Sequence, residues 1–227
     1  MAKRSFGPAL FEFLRELQAN NTREWFAENK ERYQQDVQEP AVEFVADFTP
    51  HLAGISRNFR ADARPIGGSL FRIHRDVRFC KDKTPYKTHT GIHFRHRSAG
   101  DAHAPGFYLH LEPGTVFAAA GIWHPDTATQ RRIRDAIAGD ARAWKRATGA
   151  PFAPTYSLTG DALKRPPPGF DATHPLIEDL KRKDFVGETH LSEREVTRSG
   201  FLERYAELCR DAAPLLRFLC RAAGVPF

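Results

Sequence analysis

A change of apolar period restricts this fold more than any other feature of the sequence. Between residues 91 and 122 apolar side chains recur at every second position: Ile92 and Phe94, then Phe107, Leu109 and Leu111, then Val116, Ala118, Ala120 and Ile122. A period of two turns one face of an extended chain to a core and leaves the other for polar residues. Pro113-Gly114 is a tight-turn signal between the second and third runs, so an antiparallel meander is expected. With a flexible loop from Ser98 to Pro105, Ile92 faces Leu111, Phe94 faces Leu109, His93 faces His110 and Arg95 faces Tyr108. The next turn sets Leu111 against Val116 and Leu109 against Ala118. Both hairpins then gather their apolar residues on one side, an agreement that a one-residue slip would destroy. Upstream, Phe71 and Ile73 alternate with Leu70, Arg72 and His74 and predict a further strand, so the sheet is expected over about residues 70–122.

On both sides the period returns to 3.6. Leu10, Phe11, Leu14 and Leu17 predict a helix over 8–19. Thr22 is placed to cap a long second helix whose stripe runs from Trp25 to Leu52, with Pro40 kinking or dividing it near Glu39. Beyond the sheet, Asp126 or Thr127 starts a helix ending at Gly139, and another covers 142–148. Residues 150–174 are proline-rich and irregular, a surface wrap or a lid. A short helix at 175–183, an extended piece at 184–191 and a Ser192/Glu195 capping box follow. A final helix from Phe201 to Ala222 carries Pro214 as a kink. The expected architecture is one α+β domain over 1–227. Helices at 8–54 and a mainly helical 126–222 pack on a central antiparallel sheet within 64–122.

Composition narrows the function classes. The chain is 41% hydrophobic and 27% charged, an ordinary globular balance. It has no apolar run near the roughly 18 residues of a membrane helix, and its first helix is interrupted by Glu12, Arg15 and Glu16, unlike a secretory signal. Cys80, Cys209 and Cys220 are odd in number and lack CxxC spacing, against a disulfide scaffold or zinc ribbon. A cytoplasmic protein without membrane attachment is expected.

The positive charge is local. Residues 64–97 hold nine Lys/Arg against Asp76 and Asp82, a balance of +7 in a chain whose net charge is +6. Such a concentration beside strand-forming residues suggests a site for an anion, because like charges repel unless a counter-charge joins them. Arg72, Arg75, Arg78, Lys81, Lys83, Tyr86, Lys87 and Arg95 are the candidate anion-binding residues, with guanidinium forks suited to phosphate or carboxylate. Asp76, His93, His110 and Glu112 are candidate polar or acid–base groups, and Asp76 and Asp82 can also orient the cations by ion pairing. The competing reading is a wet, charged face of an antiparallel sheet. His93 opposite His110, with Glu112 or His74, invites a metal, yet HxH and HExxH spacings are absent and no metal is assigned. Cys80 beside Arg78 and Lys81 invites a nucleophile, but no base is evident, and a small, partly buried residue at a strand end is expected. GxGxxG, GxxxxGK[ST] and GxSxG are all absent.

FRIHRDVRFCKDKTPYKTH at 71–89 resembles the signature of the domain of unknown function 2461 family. FLREL-x-x-NNTREWFAENKERY, FYLHLEPG at 107–114, GIWHPD at 121–126 and PPPGFDATHPLIEDLKRKDF at 166–185 resemble the same family in the same order. The resemblance implies a single α+β domain and carries no reaction, cofactor or catalytic residue to any position. The expected partner is an anionic, phosphate- or carboxylate-bearing small molecule bound at the basic site on the sheet, with an enzymatic use left open. Nucleic-acid binding, favoured by a pI near 9.4, and a non-enzymatic interaction domain are the alternatives.

Overall fold

The computed structural model describes residues 3–98 and 104–227. Helix α1 (Pro8–Ala19) opens on a proline, whose missing N–H is harmless in a first turn, and buries Leu10, Phe11, Phe13, Leu14 and Leu17. Thr22 accepts the N–H of Trp25 and caps α2 (Arg23–Glu28), after which α3 (Lys30–Tyr33) resumes beyond Asn29. A π-helical turn (Gln34–Gln38) leads into α4 (Glu39–Ile55). The expected long helix is therefore divided twice. The division near Glu39 is where Pro40 placed it, with the proline in the first turn of α4, where it needs no hydrogen-bond acceptor.

Strands β1 (Thr90–Arg95), β2 (Gly106–Glu112) and β3 (Thr115–Ile122) form the meander. Helices α5 (Thr127–Gly139) and α6 (Ala141–Ala147) are capped by the carboxylates of Asp126 and Asp140. Then come β4 (Ser157–Thr159), α7 (Ile177–Leu180) and β5 (Phe185–Leu191). The Ser192–Glu195 capping box starts α8 (Glu193–Val196), and α9 (Phe201–Ala223) follows. The five strands form one antiparallel sheet in the order β1-β2-β3-β5-β4. The fold is the expected α+β domain, with two of its strands supplied by the region read as mainly helical. The extended piece at 184–191 is β5, and the proline-rich stretch contributes β4.

Two expectations about the sheet are corrected. Residues 70–74 form no strand. Leu70 makes an isolated bridge to Ile92 and His74 one to Tyr86, so the segment runs along the β1 edge and then pairs with 85–87. Alternation there reflects edge contacts too brief for a ladder. The β1–β2 register is displaced by two residues: Ile92 pairs with Leu109, His93 with Tyr108, Phe94 with Phe107 and Gly91 with His110. An even displacement keeps every side chain on its expected face, so periodicity could not detect it. The β2–β3 register is as expected, with Leu111 on Val116 and Leu109 on Ala118. The loop expected at 98–105 falls largely outside the described residues.

The helices cover only one face of the sheet. Phe48 of α4 is fully buried, its ring centroid 4.7 Å from Phe94 of β1 and 5.0 Å from Tyr205 of α9. Phe44 joins them at 5.5 Å from Tyr205. Arg134 of α5 is also buried, donating to the carbonyls of Leu180 and Arg182, which fixes the approach to β5. No described helix is long and apolar enough to cross a membrane. The Phe48→Ala variant is expected to lose about 3–5 kcal/mol in urea unfolding. Phe79→Ala, at a side chain 94% exposed, should stay within about 0.5 kcal/mol of wild type, and equal losses would contradict this core.

Candidate functional site

The face of the sheet turned away from the helices carries Gly91, His93 and Arg95 on β1, Tyr108, His110 and Glu112 on β2, and Phe117, Ala119 and Gly121 on β3, with Val186 and Glu188 of β5 opposite the last two. Small residues alternate with rings there, and that leaves a hollow. A Cβ at Gly91 would stand 2.6 Å from the Tyr108 hydroxyl, and one at Gly106 would collide with Nε2 of His93. Tyr108 and His93 therefore lean across glycines of the neighbouring strand instead of standing upright. Phe71, Lys87 and His89 on one side, and Trp123, Gly160 and Asp184 on the other, wall in a cavity of about 600 Å³. That volume lies within the range of small-molecule sites.

Rings make up its floor. His110 lies parallel to Phe117, with centroids 4.6 Å apart at 11°, and the His89 ring lies 4.5 Å from His110. A polar chain crosses the same floor. Tyr108 Oη is 3.0 Å from His110 Nδ1, and His110 Nε2 is 3.2 Å from Glu112 Oε2. The Thr88 hydroxyl donates to Glu112 Oε1 at 2.8 Å. Burial lowers His110, while Glu112 and Glu188 oppose the shift. Burial, followed by the charges of His110 and Lys87, holds His89 at about 4. Glu112 is opposed by burial, yet the hydrogen bonds from Thr88 and His110 keep it below its ordinary value. His93 is 7% exposed, and its Nδ1 has no hydrogen-bond partner among the described residues.

Lys87 is the cation in the cavity wall. It is half-buried, its Nζ 5.4 Å from the centre of the Phe71 ring and donating to the Arg72 carbonyl at 2.9 Å. No carboxylate among the described residues pairs with it. Burial, then the Arg72 charge, lowers its pKa. At the far end Asp184, 1% exposed, accepts the backbone N–H of His124 at 2.8 Å and sits 2.7 Å from its Nδ1. Burial opposes ionisation of Asp184, but these bonds and the N–H of Asp161 hold it below its ordinary value. His124 has a φ of +47°, a conformation that costs a non-glycine residue on the order of 1–3 kcal/mol. Asp184 thus fixes the His124 ring through Nδ1, and that ring lies on Trp123 with centroids 4.0 Å apart.

The expected anion-binding residues do not come together as a set. Arg75 pairs with Asp82 at 2.6 Å and reaches Thr84, and Arg78 pairs with Asp76 at 2.7 Å. Those hydrogen bonds hold both aspartates at about 2, and Asp76 is engaged there rather than placed as an acid–base group. Lys83 donates to the Val77 carbonyl, and Lys81 and Arg72 are exposed. Tyr86 is in the core, its ring stacked on Phe26 at 4.1 Å. Arg95 is half-buried on the outer face. Cys80, expected partly buried, is exposed. Of the polar candidates, His110 and Glu112 meet, His93 lies on the same face opposite Tyr108, and His74 is set apart beside Tyr86.

Residues that sequence reasoning passed over include His89, Phe117, Trp123, His124 and Asp184. His89 shares the parity of Gly91 and His93, a signal available one position before the strand. His124 and Asp184 are 60 residues apart and carried none.

The family described as "Conserved hypothetical protein (DUF2461)" matches residues 9–218. The chain belongs to this family. A search of curated proteins finds no match to it. The match takes in the cavity floor, Lys87, His89 and the His124–Asp184 pair alike.

Burial holds His93 at about 4 against an ordinary 6.5, with the Arg95 charge acting in the same direction. Between those values the unfolded chain binds a proton that the folded ring refuses. The stability is therefore full above about pH 6.5 and is lost as the pH falls through 4, a contribution on the order of 3 kcal/mol. Urea unfolding at pH 7 and pH 4.5 should show a smaller fall for His93→Asn than for wild type, and equal falls would contradict this burial.

Proposed function

We propose that this protein binds a small molecule bearing a carboxylate or phosphate on a planar apolar body, and that it does so in the cavity over the outer face of the sheet. The observation that carries this reading is Lys87, a half-buried cation with no carboxylate partner among the described residues, set in a wall of aromatic rings. Removing an ammonium from water without a counter-ion is unfavourable, and an anionic guest would supply the missing charge. Phe71, Tyr108, Phe117 and Trp123 offer ring faces and edges to the rest of such a guest. The Tyr108–His110–Glu112 chain favours an enzymatic use of the cavity over simple storage. The site is accordingly smaller than the basic segment as a whole. Arg75 and Arg78 brace the adjoining loop through their own aspartates, and Lys87 meets the ligand.

The test is thermal unfolding in the presence of aromatic and aliphatic carboxylates and phosphates, with their neutral amides as controls. A ligand at a hundred times its Kd stabilises a fold by about 2.7 kcal/mol, or roughly 5–10 °C for a chain of this size. Acids but not amides should give that rise, and Lys87→Met, which keeps the apolar stem, should abolish it while Arg75→Ala retains it. No rise with any acid, or a full rise in Lys87→Met, would refute the proposal.

A further inference from the structure

We propose that one ring nitrogen of His89, with Nε2 of His110 and Oε2 of Glu112, forms a binding site for a zinc-like divalent transition-metal ion. This rests on reading the cavity as the ligand site, since His89 and His110 both line it. One ligand atom from each of the three residues lies within 4.8 Å of the other two. His110 Nε2 and Glu112 Oε2 are already 3.2 Å apart, close to the roughly 3.3 Å edge of a tetrahedron with metal–ligand bonds of about 2.0–2.1 Å. His89 has the larger gap to close. It precedes the first residue of β1, so its side chain is not fixed by the sheet register.

The surrounding bonds orient the donors. His110 and Glu112 are two apart on β2 and therefore share a face. Thr88 holds Oε1 of Glu112 and Tyr108 holds Nδ1 of His110. Oε2 and Nε2 remain, directed at one another. Hydrogen bonds to the far side of each ligand are the usual support of a transition-metal site. With a metal bound, the Nε2···Oε2 contact is replaced by two coordinate bonds, and Nδ1–H of His110 donates to the Tyr108 oxygen. No Lys or Arg pairs with Glu112 among the described residues. Two imidazoles and one carboxylate suit zinc or iron(II) and disfavour magnesium and calcium, which require oxygen ligands. Three protein ligands leave at least one position for a solvent molecule or for an acidic group of the cavity's guest, the arrangement of a catalytic rather than a structural zinc.

The test uses the untagged full chain, dialysed against a chelator and titrated with zinc chloride by calorimetry and with cobalt(II) by visible absorption. Wild type should bind one equivalent, with a cobalt spectrum of low-symmetry, near-tetrahedral type. His89→Ala and Glu112→Gln should weaken binding at least tenfold, and Thr88→Val about tenfold, with circular dichroism confirming that each is folded. Absence of stoichiometric binding by wild type, or equal affinity in the folded His89→Ala and Glu112→Gln variants, would overturn the proposal. Lys87→Met should keep the metal while losing the acid-dependent thermal shift. Zinc binding without any acid response would refute the ligand reading alone, and an acid response without zinc binding would refute the metal site alone.

Discussion

Everything at the cavity depends on the close approach of rings to glycine backbone on the uncovered face of the sheet. Tyr108 lies across Gly91 and His93 across Gly106, and a methyl group at either glycine would meet the ring it accommodates. An antiparallel sheet with helices on one side normally presents a flat, wet outer face. Here the rings are laid down on that face, so it becomes partly dry. Dryness explains the rest: it depresses His89 and His93, lowers Lys87 and makes the few polar contacts in the floor stronger than they would be in water.

The same constraint separates two uses of positive charge within one basic segment. From 74 to 84 the chain leaves the sheet, and its charges are met by near neighbours, Arg75 by Asp82 and Arg78 by Asp76. These pairs are largely solvated and contribute shape more than stability. When the chain returns to the β1 edge it delivers Lys87 and then His89 to the cavity wall. The concentrated charge in the sequence thus covers both this loop and Lys87, the one Lys or Arg of the described residues in the cavity wall.

Periodicity made most of the fold legible. The meander, the faces of its strands, the Asp126 and Ser192 caps and the division ahead of Pro40 each rest on local rules, and local rules survive folding. The β1–β2 register escaped because a displacement by two leaves every face unchanged. In the observed register Tyr108 lies across Gly91 and His93 across Gly106, a packing that alternation does not encode. The edge segment at 70–74 escaped because its two bridges go to different partners, Ile92 and Tyr86. Strand parity put His110 and Glu112 on one face, where they meet, whereas a tyrosine among cations gives no sign that the Tyr86 ring stacks on Phe26. The His124–Asp184 pair joins a turn after β3 to the start of β5, and such long-range meetings leave no mark in composition or spacing.

The proposed ligand site is the outer face of the sheet and not the basic loop, and diffraction from crystals of the chain grown with an aromatic carboxylate locates the guest. Density is expected between Phe71, Tyr108 and Trp123, with the carboxylate within hydrogen-bonding distance of Lys87 Nζ. Density on Arg75, Arg78 and Lys83 with nothing in the cavity would contradict it.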